Sequence, residues 1–160
     1  MRILLFTLCT LLFFQIQAQN ESDTTKGDVL KIATVEWLPT IQGCEGLSSN
    51  QELRACFNEK LMAHVAKNFI FPEAARKTNV GCKIYVQFII EKDNSISGVK
   101  VVKGAKDAYA DGNKKQKSAA KLLDKEAIRV IKGVKMVRPA MQDDDPVRMS
   151  FTIPINCKIQ

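Results

Sequence analysis

The chain has 160 residues and a formal net charge of +7, from 24 basic and 17 acidic side chains. This length suits a single domain with a core of its own. The lysines are scattered rather than gathered in a stripe, so the basic charge does not indicate a nucleic-acid-binding protein. It is typical of solubility, or of attraction to anionic surfaces of the cell envelope.

The N-terminus has the features of an export signal. Arg2 precedes the apolar run ILLFTLCTLLFF, and the small residue Ala18 precedes a polar stretch. This pattern predicts a signal peptide over residues 1–18 and a periplasmic protein. The apolar run is shorter than the roughly 20 residues that span a bilayer, although an uncleaved leader serving as an anchor is the alternative. Residues 19–43 are predicted to be a flexible lead-in, because they are polar and lack periodicity.

A helix is predicted over residues 59–68, near the start of a domain that covers residues 44–160. Leu61, Val65 and Phe69 recur at four-residue spacing and predict a buried stripe. Asn58 can cap the first turn. Pro72 ends the helix and can begin a second short helical turn.

Three later segments are predicted to be β-strands. Residues 82–91 alternate between apolar and polar side chains, and residues 96–103 return after a polar turn, so the two form a hairpin. The third strand runs over residues 147–158 with the same alternation. Pro154 interrupts it and cannot donate to a sheet ladder, which predicts a position at a sheet edge.

The hairpin and the last strand are separated by a loop and a second helix. Residues 104–119 are polar and rich in lysine, and we interpret them as an exposed loop with a helical end. Residues 121–132 have one apolar face and are followed by Gly133, which suits a C-cap. The order predicts an α+β fold: a small three-stranded antiparallel sheet, in the order 2-1-3, covered on one face by two helices.

Four cysteines follow the predicted leader, and their number in an exported chain suggests disulfides. The predicted topology places Cys82 at the start of the first strand opposite Cys157 at the end of the last. A bridge between them is therefore predicted, which leaves Cys44 to pair with Cys56. The alternative is that Cys82 and Cys157 are two buried thiols.

The sequence contains no recognisable catalytic or cofactor-binding motif. Its one histidine, His64, lies in a predicted helix, and no second histidine exists to complete a zinc site. The acidic run over residues 143–145 lacks the spacing of a calcium loop. No enzyme activity, cofactor or metal is expected. The remaining candidate site is the free edge of the sheet, where unpaired backbone groups can receive a partner strand.

The segments GCEGLSSNQELRAC, AKNFIFPEAARK, LDKEAIRVIKGV and PVRMSFTIPINCKI, with the predicted hairpin, resemble the TonB C-terminal domain as it occurs in Bacteroidetes-type bacteria. The most specific pieces are Asn68, Phe71 and Pro72, the helix LDKEAIRVI and the closing TIPIN. The resemblance covers residues 44–158. It supports the Cys44–Cys56 pair, and it finds cysteine at 82 and 157 where the family often has glycine and phenylalanine.

The resemblance implies a role with outer-membrane receptors. Domains of this family bind a short segment of a TonB-dependent receptor, which adds as a strand beside the last strand of the domain. Transferred to this chain, the contact residues are Val147, Arg148, Met149, Ser150, Phe151, Thr152 and Ile153. Other envelope proteins, or a second copy of the chain in a homodimer, are alternative partners at this edge.

One departure from the family pattern bears on force transmission. The predicted lead-in is short and contains one proline, Pro39, whereas the family has an inner-membrane anchor and a long proline-rich span. We therefore expect a binding module with at most peripheral membrane association. An anchored energy transducer with an uncleaved leader, or a structural envelope protein without a transport role, are the alternatives.

Overall fold

The computed structural model describes residues 29–30 and 35–158, so the predicted signal peptide lies outside the described residues. Four helices and seven strands are present in this part of the chain. In order they are β1 (Val29–Leu30), β2 (Thr40–Ile41), α1 (Asn50–Asn68), α2 (Glu73–Lys77), β3 (Cys82–Ile90), β4 (Ile96–Lys103), α3 (Ala105–Ala108), α4 (Lys114–Lys132), β5 (Met136–Arg138), β6 (Ala140–Gln142) and β7 (Asp145–Cys157).

The main sheet has five strands, in the order β1-β7-β3-β4, with β6 also pairing with β7. The α+β class is confirmed, and the three predicted strands lie in the order 2-1-3 as β4-β3-β7, but the sheet has five strands rather than the predicted three. The prediction missed β1, which pairs parallel to β7, and it missed β6 and the separate β2–β5 pair. These strands are two or three residues long, too short for an alternating pattern to show in the sequence.

The core lies between the main sheet and its helices. Alternate residues of β3, from Ile84 to Ile90, are fully buried, and so is Met149 of β7. Phe151 stacks between Phe57 of α1 and Phe88 of β3, with ring centroids 4.8 and 5.7 Å away. α1 is therefore anchored over β7, while α4 packs over β3 and β4.

Helix α1 begins nine residues earlier than the predicted residue 59, at Asn50. Ser49 caps it, because its hydroxyl accepts the Glu52 N–H, whereas Asn58 lies inside the helix. The longer helix buries Leu53 and Phe57 as well as Leu61 and Val65 of the predicted stripe, whereas Phe69 follows the helix and is half-buried. A serine followed three residues later by glutamate is a helix-start signal that the sequence carried.

Helix α4 also begins earlier than predicted, at Lys114 rather than residue 121. Asn113 and Gln116 cap it reciprocally through side chain and backbone. Most of the predicted loop over residues 104–119 is therefore helical, because α3 and the first residues of α4 lie within it. Lysine favours helices, and the many lysines conceal the capping signal in a stretch that is polar overall.

The packed part of the chain begins before Cys44. Leu38 and Ile41 are buried in the core, although both lie in the predicted flexible lead-in. The Leu38 N–H donates to Asn50 at 2.9 Å and thereby ties this segment to the start of α1. Strand β2 also pairs with β5. Residues 38–41 are therefore packed as part of the domain, which the prediction began at residue 44.

The two cysteine pairs have different outcomes. Cys44 and Cys56 form a disulfide with a Cα–Cα distance of 5.9 Å, which confirms that prediction. Cys82 and Cys157 lie opposite each other in the β3–β7 register, as predicted, but both are free thiols, and the predicted bridge is absent. Directly opposite positions commonly hold their Cβ atoms about 4.5–5.5 Å apart, which is wider than most disulfides allow.

Candidate functional site

The candidate site is the long strand β7, whose two halves have different neighbours. We call Asp145–Met149 the paired half and Ser150–Cys157 the open half. In the paired half, β6 lies opposite residues 145–147, and β1 lies opposite Arg148 and Met149. Met149 has Leu30 as one neighbour and Ile90 as the other, so both flanks of β7 are occupied at that point.

The open half has one strand neighbour within the described residues. Ser150 to Cys157 pair in unbroken antiparallel register with β3, from Ile89 to Cys82. Among residues 29–30 and 35–158, no second strand pairs with this half. Pro154 lies within it, and a proline is tolerated in a strand where its missing N–H faces away from the ladder.

The structure therefore divides the seven predicted contact residues between the two halves. Val147 lies opposite Ala140, and Arg148 and Met149 lie beside β1. Only Ser150 to Ile153 fall in the open half. Met149, Phe151 and Ile153 point into the core, while Thr152 is exposed.

Arg148 is held in place by an ion pair on the sheet face away from the core. Its Nε donates to Glu91 Oε2 at 2.6 Å and its Nη2 donates to Glu91 Oε1 at 3.0 Å. The Ser97 hydroxyl donates to the same carboxylate. The hydrogen bond from Arg148 is the main reason why the pKa of Glu91 is lowered. The side chains are only 14% and 21% exposed, so the pair fixes this end of β7.

Two cavities lie between α1 and the open half of β7, and we call them together the α1–β7 groove. The smaller, about 170 Å³, adjoins Phe151–Ile153. Its other walls are Leu38, Pro39, Arg54, Phe57 and Asn58. The larger, about 520 Å³, adjoins Ile155–Lys158. Its other walls are Met62, Val65, Ala66, Phe69, Phe71 and Arg76.

The groove was not predicted from the sequence, although part of its signal is visible there. Arg54, Asn58, Met62 and Ala66 follow one another at four-residue spacing along α1, beside the buried stripe. Such spacing places them on one side of the helix. Because the predicted helix began at residue 59, half of this row was lost.

The thiol of Cys157 lies at the far end of the open half. Burial is the main reason why its pKa is raised to about 12, and the neighbouring Cys82 adds to the effect. The pKa of the half-buried Cys82 is also raised, again chiefly by burial. Neither cysteine therefore has the thiolate character of a nucleophile.

Other chemical groups in the described part of the chain form no recognisable site. Nε2 of His64 lies 3.0 Å from the Val130 carbonyl oxygen and links α1 to α4. No group of three or more potential ligands is placed to hold a metal within the described residues. In the same residues, no helix combines the length and apolarity needed to cross a membrane.

No protein-family model matches the chain, and no curated protein matches it. Among solved structures, the solution NMR structure of the TonB C-terminal domain of Helicobacter pylori is similar, with a TM-score of 0.43 and 21% sequence identity. The match covers 75% of this chain and 94% of that one.

Proposed function

We propose that this chain is a periplasmic, TonB-like peptide-binding module that takes up an extended segment of an outer-membrane transport receptor as a strand added to β7. The observation that carries the proposal is the one-sided pairing of the open half within the described residues. A strand paired on one flank presents alternate N–H and C=O groups on the other, and these can template a further strand.

Strand β1 supports the proposal from within the chain. Val29 and Leu30 add to β7 in parallel, on the flank opposite β3. An extended segment from a distant part of the sequence is thus already accommodated on this flank. A partner peptide would use the same backbone geometry further along β7.

The proposed contact begins at Ser150 and runs towards Cys157, so it differs in part from the range 147–153 that the resemblance implies. Val147 already pairs with β6, and Arg148 and Met149 already pair with β1, so a partner at these residues would have to displace those strands. The proposed contact therefore keeps Ser150, Phe151, Thr152 and Ile153 and extends beyond them.

The proposal is tested by titrating the isotope-labelled chain with overlapping peptides that cover the periplasm-facing segments of outer-membrane receptors from the same cell. We expect the largest amide chemical-shift changes at residues 150–157. For a peptide that binds, N-methylation at alternate positions separates its two edges. Methylation of the edge that faces β7 should abolish binding, and methylation of the other edge should not.

Two outcomes would contradict strand addition. Equal tolerance of N-methylation on both peptide edges would show that no backbone ladder forms. Unchanged spectra with every receptor peptide would favour the structural envelope role. The anchored-transducer alternative is separated by the mass of the mature protein, which we expect to begin at Gln19 after cleavage, whereas an anchored form retains Met1.

A further inference from the structure

We infer that the α1–β7 groove selects the partner peptide through three positions on one of its faces: a small apolar residue, a larger apolar residue and a carboxylate. In order along β7 they are expected at relative positions i, i+4 and i+6. This inference rests on the proposed strand addition and specifies which peptides would be taken.

The spacing follows from where the cavities lie. The smaller cavity is lined by the core-facing Phe151 and Ile153, and the larger by the core-facing Ile155 and Cys157, so equivalent positions at the two cavities are four residues apart along β7. At about 3.4 Å per residue this is about 14 Å, and side chains two apart on a strand point the same way. An added strand would therefore direct residues i and i+4 of one face towards α1.

The walls determine the apolar preference. The smaller cavity is closed by Leu38, Pro39 and Phe57, and it has room for a side chain such as alanine or valine. The larger cavity is bounded by Met62, Phe69 and Phe71. Met62 is 38% exposed, so a leucine or methionine placed there would remove apolar surface from water on both partners.

The charges of the groove determine the third position. Arg54 lines the smaller cavity, Arg76 and Lys158 line the larger, and no carboxylate lines either within the described residues. None of these three cations forms an ion pair with another described residue. The neighbouring acid on α2, Glu73, pairs with Lys77 at 2.6 Å. A carboxylate on the ligand would meet complementary charge at the Lys158 end.

The test uses the full chain and a set of synthetic, end-blocked peptides of alternating threonine and valine. The parent peptide carries valine at i, leucine at i+4 and glutamate at i+6. Two matched peptides replace the leucine by alanine or the glutamate by glutamine. We expect the parent to bind about fivefold more tightly than the glutamine peptide, and about tenfold more tightly than the alanine peptide.

Matched protein variants assign these differences to the groove. The double variant Arg76→Gln and Lys158→Gln should bind the glutamate and glutamine peptides equally well. The control double variant Lys92→Gln and Lys114→Gln removes the same charge elsewhere and should still prefer the glutamate peptide. Ala66→Phe should fill the larger cavity and abolish the preference for leucine. Ala63→Phe, on the side of α1 that faces Lys135, should retain it.

The outcomes separate this inference from the proposed function. If receptor peptides shift residues 150–157 but none of the preferences responds to the groove variants, the inference is wrong and strand addition stands. If no receptor peptide and no synthetic peptide binds, both are wrong. We expect the preferences for leucine and for glutamate to be lost in the groove variants and kept in the control variants.

Discussion

The two halves of β7 share one strand and one alternating pattern, but they differ in how they are held. The paired half is fixed by β1, by β6 and by the Arg148–Glu91 ion pair. The open half is held by β3 along one flank and by α1 across its core face, and it adjoins two cavities. The comparison shows that β7 is paired by different strands at its two ends, and that no second strand pairs with the open half within the described residues.

The largest expected effect comes from removing the anchor of the open half. Phe151→Ala should destabilise the protein by about 3–5 kcal/mol, because it leaves a cavity between Phe57 and Phe88. Urea unfolding gives the change in free energy. Phe71→Ala is the control, since this ring is only half-buried, with an edge contact to Phe69 and a cation–π contact to Arg76, and should cost less. Equal losses in the two variants would show that α1 is not anchored through Phe151.

The second effect concerns the start of α1, which forms one wall of the groove. Replacing both Cys44 and Cys56 by alanine should lower the free energy of unfolding by about 3 kcal/mol, because the disulfide closes a short loop in the unfolded chain. Chemical denaturation measures the loss. A reducing agent should lower the stability of the unmodified chain by a similar amount and leave the variant unchanged. An unchanged stability in the variant would contradict the structural role of the bridge.

A smaller, pH-dependent effect should arise in the paired half. The pKa of Glu91 is lowered in the folded state, so its stabilisation is present above the unfolded pKa of about 4.3 and is lost as pH falls through the lower folded value. Glu91→Gln should therefore be less stable than the parent at pH 7 and equally stable in acid.

Thermal unfolding between pH 7 and pH 3 tests this dependence. Glu73→Gln is the control, since its exposed pair with Lys77 should contribute no more than about 0.5 kcal/mol. A constant difference between Glu91→Gln and the parent over this pH range would mean that the ion pair does not stabilise the paired half.

The smallest effect is chemical and concerns the end of the open half. Cys82 and Cys157 should both be recovered as free thiols, and both should react slowly with an alkylating reagent in the folded protein, because burial raises their pKa values. Cys82 should react before the more deeply buried Cys157. Alkylation followed by a non-reducing peptide map measures this, and a Cys82–Cys157 peptide would contradict it.

The sequence predicted the long elements well, because their periodicity extends over many residues. β4 has the predicted bounds, and β3 and the two long helices end within one residue of the predicted positions. The helix starts were missed where Ser49 and Asn113 provide caps inside polar stretches. The pairing of β1 with β7 could not be predicted, since two residues carry no alternation and the contact joins distant parts of the chain.

The candidate site was only partly predictable for the same reason. Alternation and Pro154 indicated that β7 lies at a sheet edge, but they could not show that its first residues already have other neighbours. The groove depends on the packing of Phe57 against Phe151, which no local pattern specifies. The opposition of Cys82 and Cys157 followed from topology, whereas the absence of a bridge depends on side-chain geometry.

Residue-resolved amide hydrogen exchange, with and without a bound receptor peptide, tests the central claim most directly. We expect Thr152 and Asn156, which share the parity of Pro154, to exchange quickly in the free chain and slowly in the complex. The amides of Phe151, Ile153 and Ile155 should be protected in both, through β3. Slow exchange at all five amides of the free chain would show that both flanks of the open half are already paired, and would contradict the account.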